Sequence, residues 1–131
     1  MVVVNYVEAN VTDWEQEVTK SEMLTVVYFW HDECPWCLRL NPIFNEVTEE
    51  FRGKIKFVKF NILAHEANRQ VASNFGVMST PTLAFFCSGR PLGQMMGFMS
   101  KEQLEKVLDD VLQRYKTCLL QSTELRPFYV V

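Results

Sequence analysis

The run Leu24-Thr25-Val26-Val27-Tyr28-Phe29-Trp30 is almost uninterruptedly apolar, rich in β-branched and aromatic residues, and it leads through His31-Asp32-Glu33 into Cys34-Pro35-Trp36-Cys37. A strand without polar alternation has no face suited to water, so both faces must be covered. After the second cysteine the period changes. Leu40, Ile43, Phe44, Val47 and Phe51 recur at helical spacing, Gly53 is placed to end that helix, and Pro42 inside it is expected to bend it. A two-sided strand feeding a helix that must pack back on it predicts an α/β fold, a central mixed sheet flanked by helices on both faces.

The rest of the chain fits that frame. Val2 to Val7 predicts a first strand, and Thr12 with Glu15 has the spacing of a capping box opening a short helix with Val11, Trp14 and Val18 inward. Ile55–Phe60 reads as a strand and Ala64–Asn74 as a helix stopped near Gly76. Thr82–Cys87 and Leu92–Phe98 read as a hairpin joined by Ser88-Gly89-Arg90-Pro91. Ser100 with Gln103 caps a last helix whose stripe is Leu104, Val107, Leu108, Val111, Leu112 and Tyr115. No repeat or linker interrupts the order β-α-β-α-β-α-β-β-α. Residues 1–116 are therefore read as one domain and 117–131 as a C-terminal extension.

A net charge of −3 with scattered basic residues gives no general attraction to nucleic acid or to an anionic membrane surface. The first residues lack the pattern of a secretory signal and no segment has the length and apolarity of a membrane span, so the expected setting is the cytoplasm. There a closely spaced cysteine pair is more often catalytic or metal-binding than a structural staple.

Cys34 and Cys37 lie on one face of a helix's first turn, close enough for their sulfurs to join. With Cys34 as N-cap, its sulfur faces the unpaired amides of Trp36 and Cys37 and the positive end of the helix dipole, which favours thiolate. Pro35 then falls at the first helical position, where its missing N–H costs nothing. Thiols so placed in Cys-x-x-Cys pairs ionise with pKa values of about 3.5–7.5. The expected cycle has Cys34 attack a substrate disulfide and Cys37 resolve the mixed disulfide. Half of a zinc site looks the same, and sulfurs from two chains could hold an iron–sulfur cluster. Cys87, Cys118, His31 and His65 lack the spacing of a second ligand pair, so no cofactor is expected.

The segment Phe29-Trp30-His31-Asp32-Glu33-Cys34-Pro35-Trp36-Cys37, with Pro42 beyond it, resembles the active-site segment of thioredoxins, F-W-A-x-W-C-G-P-C and a helix proline. Val58-Lys59-Phe60-Asn61-Ile62 looks like the family's third strand with its lysine, Ser79-Thr80-Pro81-Thr82 like its cis-proline loop, and Gly97 like its substrate-groove glycine. The resemblance runs from about Val2 to Tyr115. It implies a thioredoxin fold and a thiol-disulfide oxidoreductase acting on disulfide-bearing proteins, with electrons from a separate reductase. It also implies a cis Pro81 and Thr80 in backbone contact with substrate; Trp36 is read as a further substrate contact and Lys59 as a candidate for tuning by charge. Glutaredoxin-like or disulfide-isomerase activity is the nearest alternative. A non-catalytic module binding a metal, cluster or partner is the alternative of another class. The expected state is a monomer or weak dimer.

Three departures from the pattern concern the site. Pro35-Trp36 replaces Gly-Pro and looks more like the Cys-Pro-aromatic-Cys of glutaredoxins or the Cys-Pro-x-Cys of periplasmic oxidants. This implies a couple more oxidising than the roughly −270 mV of thioredoxin. Tyr28 stands where thioredoxins bury an aspartate, which leaves Cys37 to water, to the charge of Lys59, or to Glu33 or His31, and is otherwise a core aromatic with a satisfied hydroxyl. Asp32 and Glu33 place negative charge beside Cys34, against thiolate formation, with solvated loop charges the alternative reading.

Trp36, Met78, Pro81, Met95, Met96 and Phe98 are candidates for a soft apolar rim around the sulfurs, with core packing the alternative for the methionines. Arg39 is read as facing solvent and Cys87 as a buried inert thiol. The tail from Lys116 ends in Pro127-Phe128-Tyr129-Val130-Val131 and is expected to pack on its own domain, with association with another chain the alternative. Cys118 at its root is read as a bridging, redox or free surface thiol.

Overall fold

The computed structural model describes residues 5–115 and Cys118. Five strands form one sheet in the order β1-β3-β2-β4-β5. The strands are β1 Val7–Ala9, β2 Thr25–Trp30, β3 Lys56–Asn61, β4 Thr82–Cys87 and β5 Arg90–Met96. β1 and β2 flank β3 in parallel, while β4 runs antiparallel to β2 and β5 antiparallel to β4. Among the described residues three α-helices complete the fold: α1 Pro35–Glu50, α2 Glu66–Asn74 and α3 Lys101–Tyr115.

β2 lies near the middle of the sheet, as its apolar run requires, and its side chains alternate between two cores. Val26 and Tyr28 pack with Leu40, Phe44 and Val47 of α1 and Leu104 and Leu108 of α3. Val27 and Phe29 pack on the opposite face with Val18, Phe60, Phe86 and Ala72 of α2. Trp14 caps that second core, its ring centroid 5.2–6.2 Å from those of Phe29, Phe60, Phe75 and Phe86. The expected mixed sheet between helix layers is thus observed, and α1 continues through Pro42 as a single element.

Several boundaries differ from expectation: β3 is shifted by one residue to Lys56–Asn61, α2 begins at Glu66, not Ala64, and β5 ends at Met96, not Phe98. β1 begins at Val7, and residues 2–4 lie outside the described residues; what sets the strand is parallel pairing with Val58–Phe60, not the apolarity of the preceding run. The short helix of the sequence reading is a 3-10 turn, Val11–Asp13, followed by a π turn, Glu15–Thr19. Its opening bond is from Asn10 N–H to the Asp13 carboxylate at 2.9 Å, earlier than the Thr12–Glu15 pair suggested. Asn10 prevails because wholly buried Asn68 anchors it: the Asn68 amide donates to Asn10 Oδ1 and to the Asn61 carbonyl, and its oxygen accepts from Val11 N–H.

The hairpin turn is tighter than predicted. Only Ser88 and Gly89 separate β4 from β5, with φ of 51° and 81°, the conformation that two-residue hairpin loops favour. Gly89 is required twice, since a Cβ there would also stand 2.8 Å from the Thr19 backbone. Arg90 and Pro91 therefore belong to β5, and Pro91 sits on the edge strand beside a register shift at Phe85/Phe86, where its missing N–H is tolerated. The Ser100–Gln103 capping box forms as read, with bonds of 3.0 and 3.2 Å in the two directions.

The other two cysteines depart furthest from the sequence expectation. Cys87 and Cys118, both buried, are joined in a disulfide with Cα atoms 5.8 Å apart. Cys87 is therefore not a thiol, and Cys118 is neither a surface thiol nor an intermolecular bridge. The end of α3 brings Cys118 back over the end of β4, a long-range approach that local pattern does not encode. The rest of the tail, 119–131, lies outside the described residues.

Candidate active site

The redox pair stands where β2 hands over to α1. β2 ends at Trp30, His31-Asp32-Glu33 turn the chain, and the Cys34 N–H donates to the His31 carbonyl at 3.3 Å. Cys34 is the N-cap of α1, with extended φ and ψ of −95° and 109°, and Pro35 occupies the first turn. The Cys34 sulfur accepts the Cys37 backbone N–H at 3.2 Å. One orphan amide of the helix start is thus spent on sulfur, where it stabilises negative charge. Cys34 and Cys37 are disulfide-bonded, their Cα atoms 5.2 Å apart. Cys34 retains 6% exposure and Cys37 none, so an incoming partner meets Cys34.

Trp36 projects from the same turn, half exposed, with the Arg39 guanidinium 4.9 Å from its ring centroid. Arg39 thus covers an exposed ring as well as meeting solvent. The Thr80–Pro81 peptide is cis, and the Pro81 carbonyl accepts the Gly97 N–H at 2.8 Å, tying the proline loop to the residue after β5. Trp36, Thr80, Pro81, Gly97 and Phe98 line one open cavity of about 390 Å³, and the Trp36 and Phe98 rings lie 5.6 Å apart across it. The structure thereby brings together five residues named from sequence, Trp36, Pro81 and Phe98 of the apolar rim with Thr80 and Gly97. Met78 is almost fully exposed, whereas Met95 and Met96 border a different hollow between β5 and α3.

Behind the pair, Tyr28 is wholly buried and its hydroxyl lies 3.1 Å from the Cys37 carbonyl and 2.8 Å from Asn41 Oδ1. Burial raises its pKa far above the ordinary phenol value, so it stays protonated and serves as a hydrogen-bond donor rather than a base. Asn41 was not singled out from sequence. The available signal was a polar side chain one turn beyond Cys37.

Lys59 pairs with Tyr28 across β3 and β2 and is 5% exposed. Its ammonium sits 3.9 Å from the Trp30 ring centroid, with the Tyr6 and Tyr28 rings at 5.3 and 5.6 Å. Desolvation lowers its pKa, opposed by the charges of Glu8 and Asp32. Asp32 is also held by the Asn61 amide at 3.5 Å, and His31 Nδ1 accepts the Glu33 N–H at 3.2 Å. Among the described residues no group of three or more His, Cys, Asp or Glu is arranged to hold a metal, and no helix is long and apolar enough to cross a membrane.

Comparison with known proteins matches residues 5–110 to the thioredoxin family. The thioredoxin of Alicyclobacillus acidocaldarius is 38% identical over 98 residues, covering 75% of this chain and 90% of its own. Thioredoxin 1 of a Nostoc species is 37% identical over 103 residues, covering 77% and 94%. The thioredoxin of Pseudomonas aeruginosa is 35% identical over 102 residues, covering 76% and 92%.

Proposed function

The chain belongs to the thioredoxin family and is a thiol-disulfide oxidoreductase, and from that premise we propose that it reduces protein disulfides through Cys34 as attacking and Cys37 as resolving sulfur. The observation that carries these roles is the Cys37 N–H bonded to the Cys34 sulfur at the start of α1. In the reduced state the same amide and the helix end favour thiolate at Cys34.

The Cys34 thiolate attacks one sulfur of the substrate disulfide, a Cys34–substrate bond forms, and the other substrate sulfur leaves and takes a proton. Cys37 then loses its proton and attacks the Cys34 sulfur, closing the intramolecular disulfide and releasing the second substrate thiol. Two electrons and two protons have moved to substrate. A separate reductase returns the pair to dithiol, a partner supported at the level of the family.

Trp36, Thr80, Pro81, Gly97 and Phe98 make the cavity in which the substrate segment rests during the mixed disulfide. Tyr28 does not accept the Cys37 proton; that proton passes to water, with Lys59 favouring the Cys37 thiolate by charge. The cytoplasm, a monomer or weak dimer, and the lack of nucleic-acid and membrane partners are carried forward from charge and sequence pattern as parts of the same proposal.

Reduction of insulin disulfides in the presence of dithiothreitol tests the roles. Cys34→Ser abolishes the catalysed rate and Cys37→Ser accumulates mixed disulfides through Cys34; full activity in either variant contradicts the assignment. Pro35-Trp36 between the sulfurs supports a couple above the roughly −270 mV of thioredoxin. A glutathione titration that gives that value or a lower one removes this part of the reading.

A further inference from the structure

The active-site chemistry leaves Cys87 and Cys118 unused, yet they are joined by a disulfide and both buried. Cys87 ends β4, a strand buried along its whole length between β2 and the hairpin partner β5. Cys118 lies just past Tyr115 and is itself helical. The ring that the bond closes, with a sequence separation of 31, contains the Ser88-Gly89 turn, β5, Gly97, Phe98 and α3. Gly97 and Phe98 are one wall of the substrate-side cavity. The bond thus encircles that wall and ties the far end of α3 to the sheet.

We propose that Cys87–Cys118 is a second, structural disulfide that is formed once and takes no part in the redox cycle. Its formation removes one proton from each thiol and joins the sulfurs. The electron pair passes to a small disulfide oxidant such as glutathione disulfide, whose own S–S bond opens to two thiols.

Two differences insulate it from the exchange at Cys34. The first is the route of approach: Cys34 is flanked by the exposed residues Glu33, Pro35 and Trp36, whereas every residue of β4 before Cys87 is buried and the turn after it, Ser88 and Gly89, is half-buried. The second is the leaving group. A thiolate at Cys34 meets the Cys37 N–H at a helix start, whereas one at Cys87 would form wholly buried at the end of β4, where desolvation disfavours charge. Sulfurs that leave poorly exchange slowly. Slow exchange lets the bond persist in the reducing setting proposed for the active-site couple, where disulfides are otherwise rare.

The test is graded reduction of the full chain after oxidation with glutathione disulfide, each step quenched by iodoacetamide and read by peptide mass spectrometry. We expect Cys34 and Cys37 to be alkylated in full at dithiothreitol concentrations that leave the Cys87–Cys118 peptides linked until the protein is unfolded in urea. Opening of both bonds at one concentration, or oxidised protein containing only the Cys34–Cys37 bond, overturns the proposal. The same titration in Cys34→Ser/Cys37→Ser must still show the resistant bond, which separates this inference from the catalytic roles. In Cys87→Ala/Cys118→Ala the thermal midpoint should fall on the order of 10 °C while insulin reduction stays within about twofold. An unchanged midpoint contradicts the structural role.

Discussion

The two disulfides of this chain are the same bond in opposite surroundings. Cys34–Cys37 spans a sequence separation of 3 at the amide end of α1, after an acidic loop and enclosing an exposed tryptophan. Cys87–Cys118 spans 31, from the end of a buried strand to a helical residue past Tyr115. Neither sulfur pair is broadly exposed, so exposure of the sulfurs alone does not separate a reactive disulfide from a structural one. Helix polarity, the neighbours through which a partner must pass and the length of chain enclosed decide the difference.

Enclosed length gives the largest expected effect. Closing a ring of about 31 residues constrains the unfolded chain by about 3.7 kcal/mol, against about 1.6 kcal/mol for one of about 3. Urea denaturation of Cys87→Ala/Cys118→Ala should therefore lose about twice the stability that Cys34→Ala/Cys37→Ala loses. Equal losses would break the contrast.

Tyr28→Phe should cost about 1–2 kcal/mol, because it removes the hydroxyl from the Cys37 carbonyl and from Asn41 in a buried setting. If Tyr28 also positions Cys37, the rate at which the mixed disulfide resolves falls as well, and stopped-flow measurement of that step distinguishes positioning from packing. The Cys87–Cys118 bond should keep its resistance to reduction in this variant.

Lys59→Met carries the smallest effect, and its sign is set by burial. Desolvation depresses the lysine's folded-state pKa, so the unfolded chain binds the proton more readily. Lys59 therefore weakens the fold below its folded-state pKa, and stability rises as pH climbs through that value toward the unfolded one. Thermal melts should show this alkaline gain in the native chain and lose it in Lys59→Met, which should be at least as stable at neutral pH. The cation–π contact with Trp30 opposes that gain, and a less stable variant would show that the ring contact outweighs desolvation.

Much of this was legible in the sequence where one local pattern had a single physical solution. The apolar run Leu24–Trp30 had to be a doubly covered strand, the stripe from Leu104 to Tyr115 had to be a helix, and Cys34-Pro35 had to open one. Misreadings arose where a distant partner decides. β1 starts where β3 offers Val58, the first turn is pinned by Asn68 from α2, and Pro91 enters β5 because the Ser88-Gly89 turn is already complete.

The site shows the same division. Spacing revealed the sulfur pair, and the family resemblance supplied Thr80, Pro81 and Gly97, which the fold gathers with Trp36 around one cavity. Asn41 and the Cys87–Cys118 bond escaped. The bond depends on where the end of α3 lands, although an even number of cysteines remaining outside Cys-x-x-Cys was a signal that pointed to it.

The central claim is that the start of α1, more than exposure, makes Cys34 reactive. Its most direct test is the pH dependence of iodoacetamide alkylation in protein whose active site alone has been reduced. The account predicts that the Cys34 rate reaches half its maximum below about pH 7.5, as expected of a thiolate at a helix N-terminus, with no label at Cys87 or Cys118. A half-maximum near the roughly pH 8.5 of an unperturbed cysteine would contradict it.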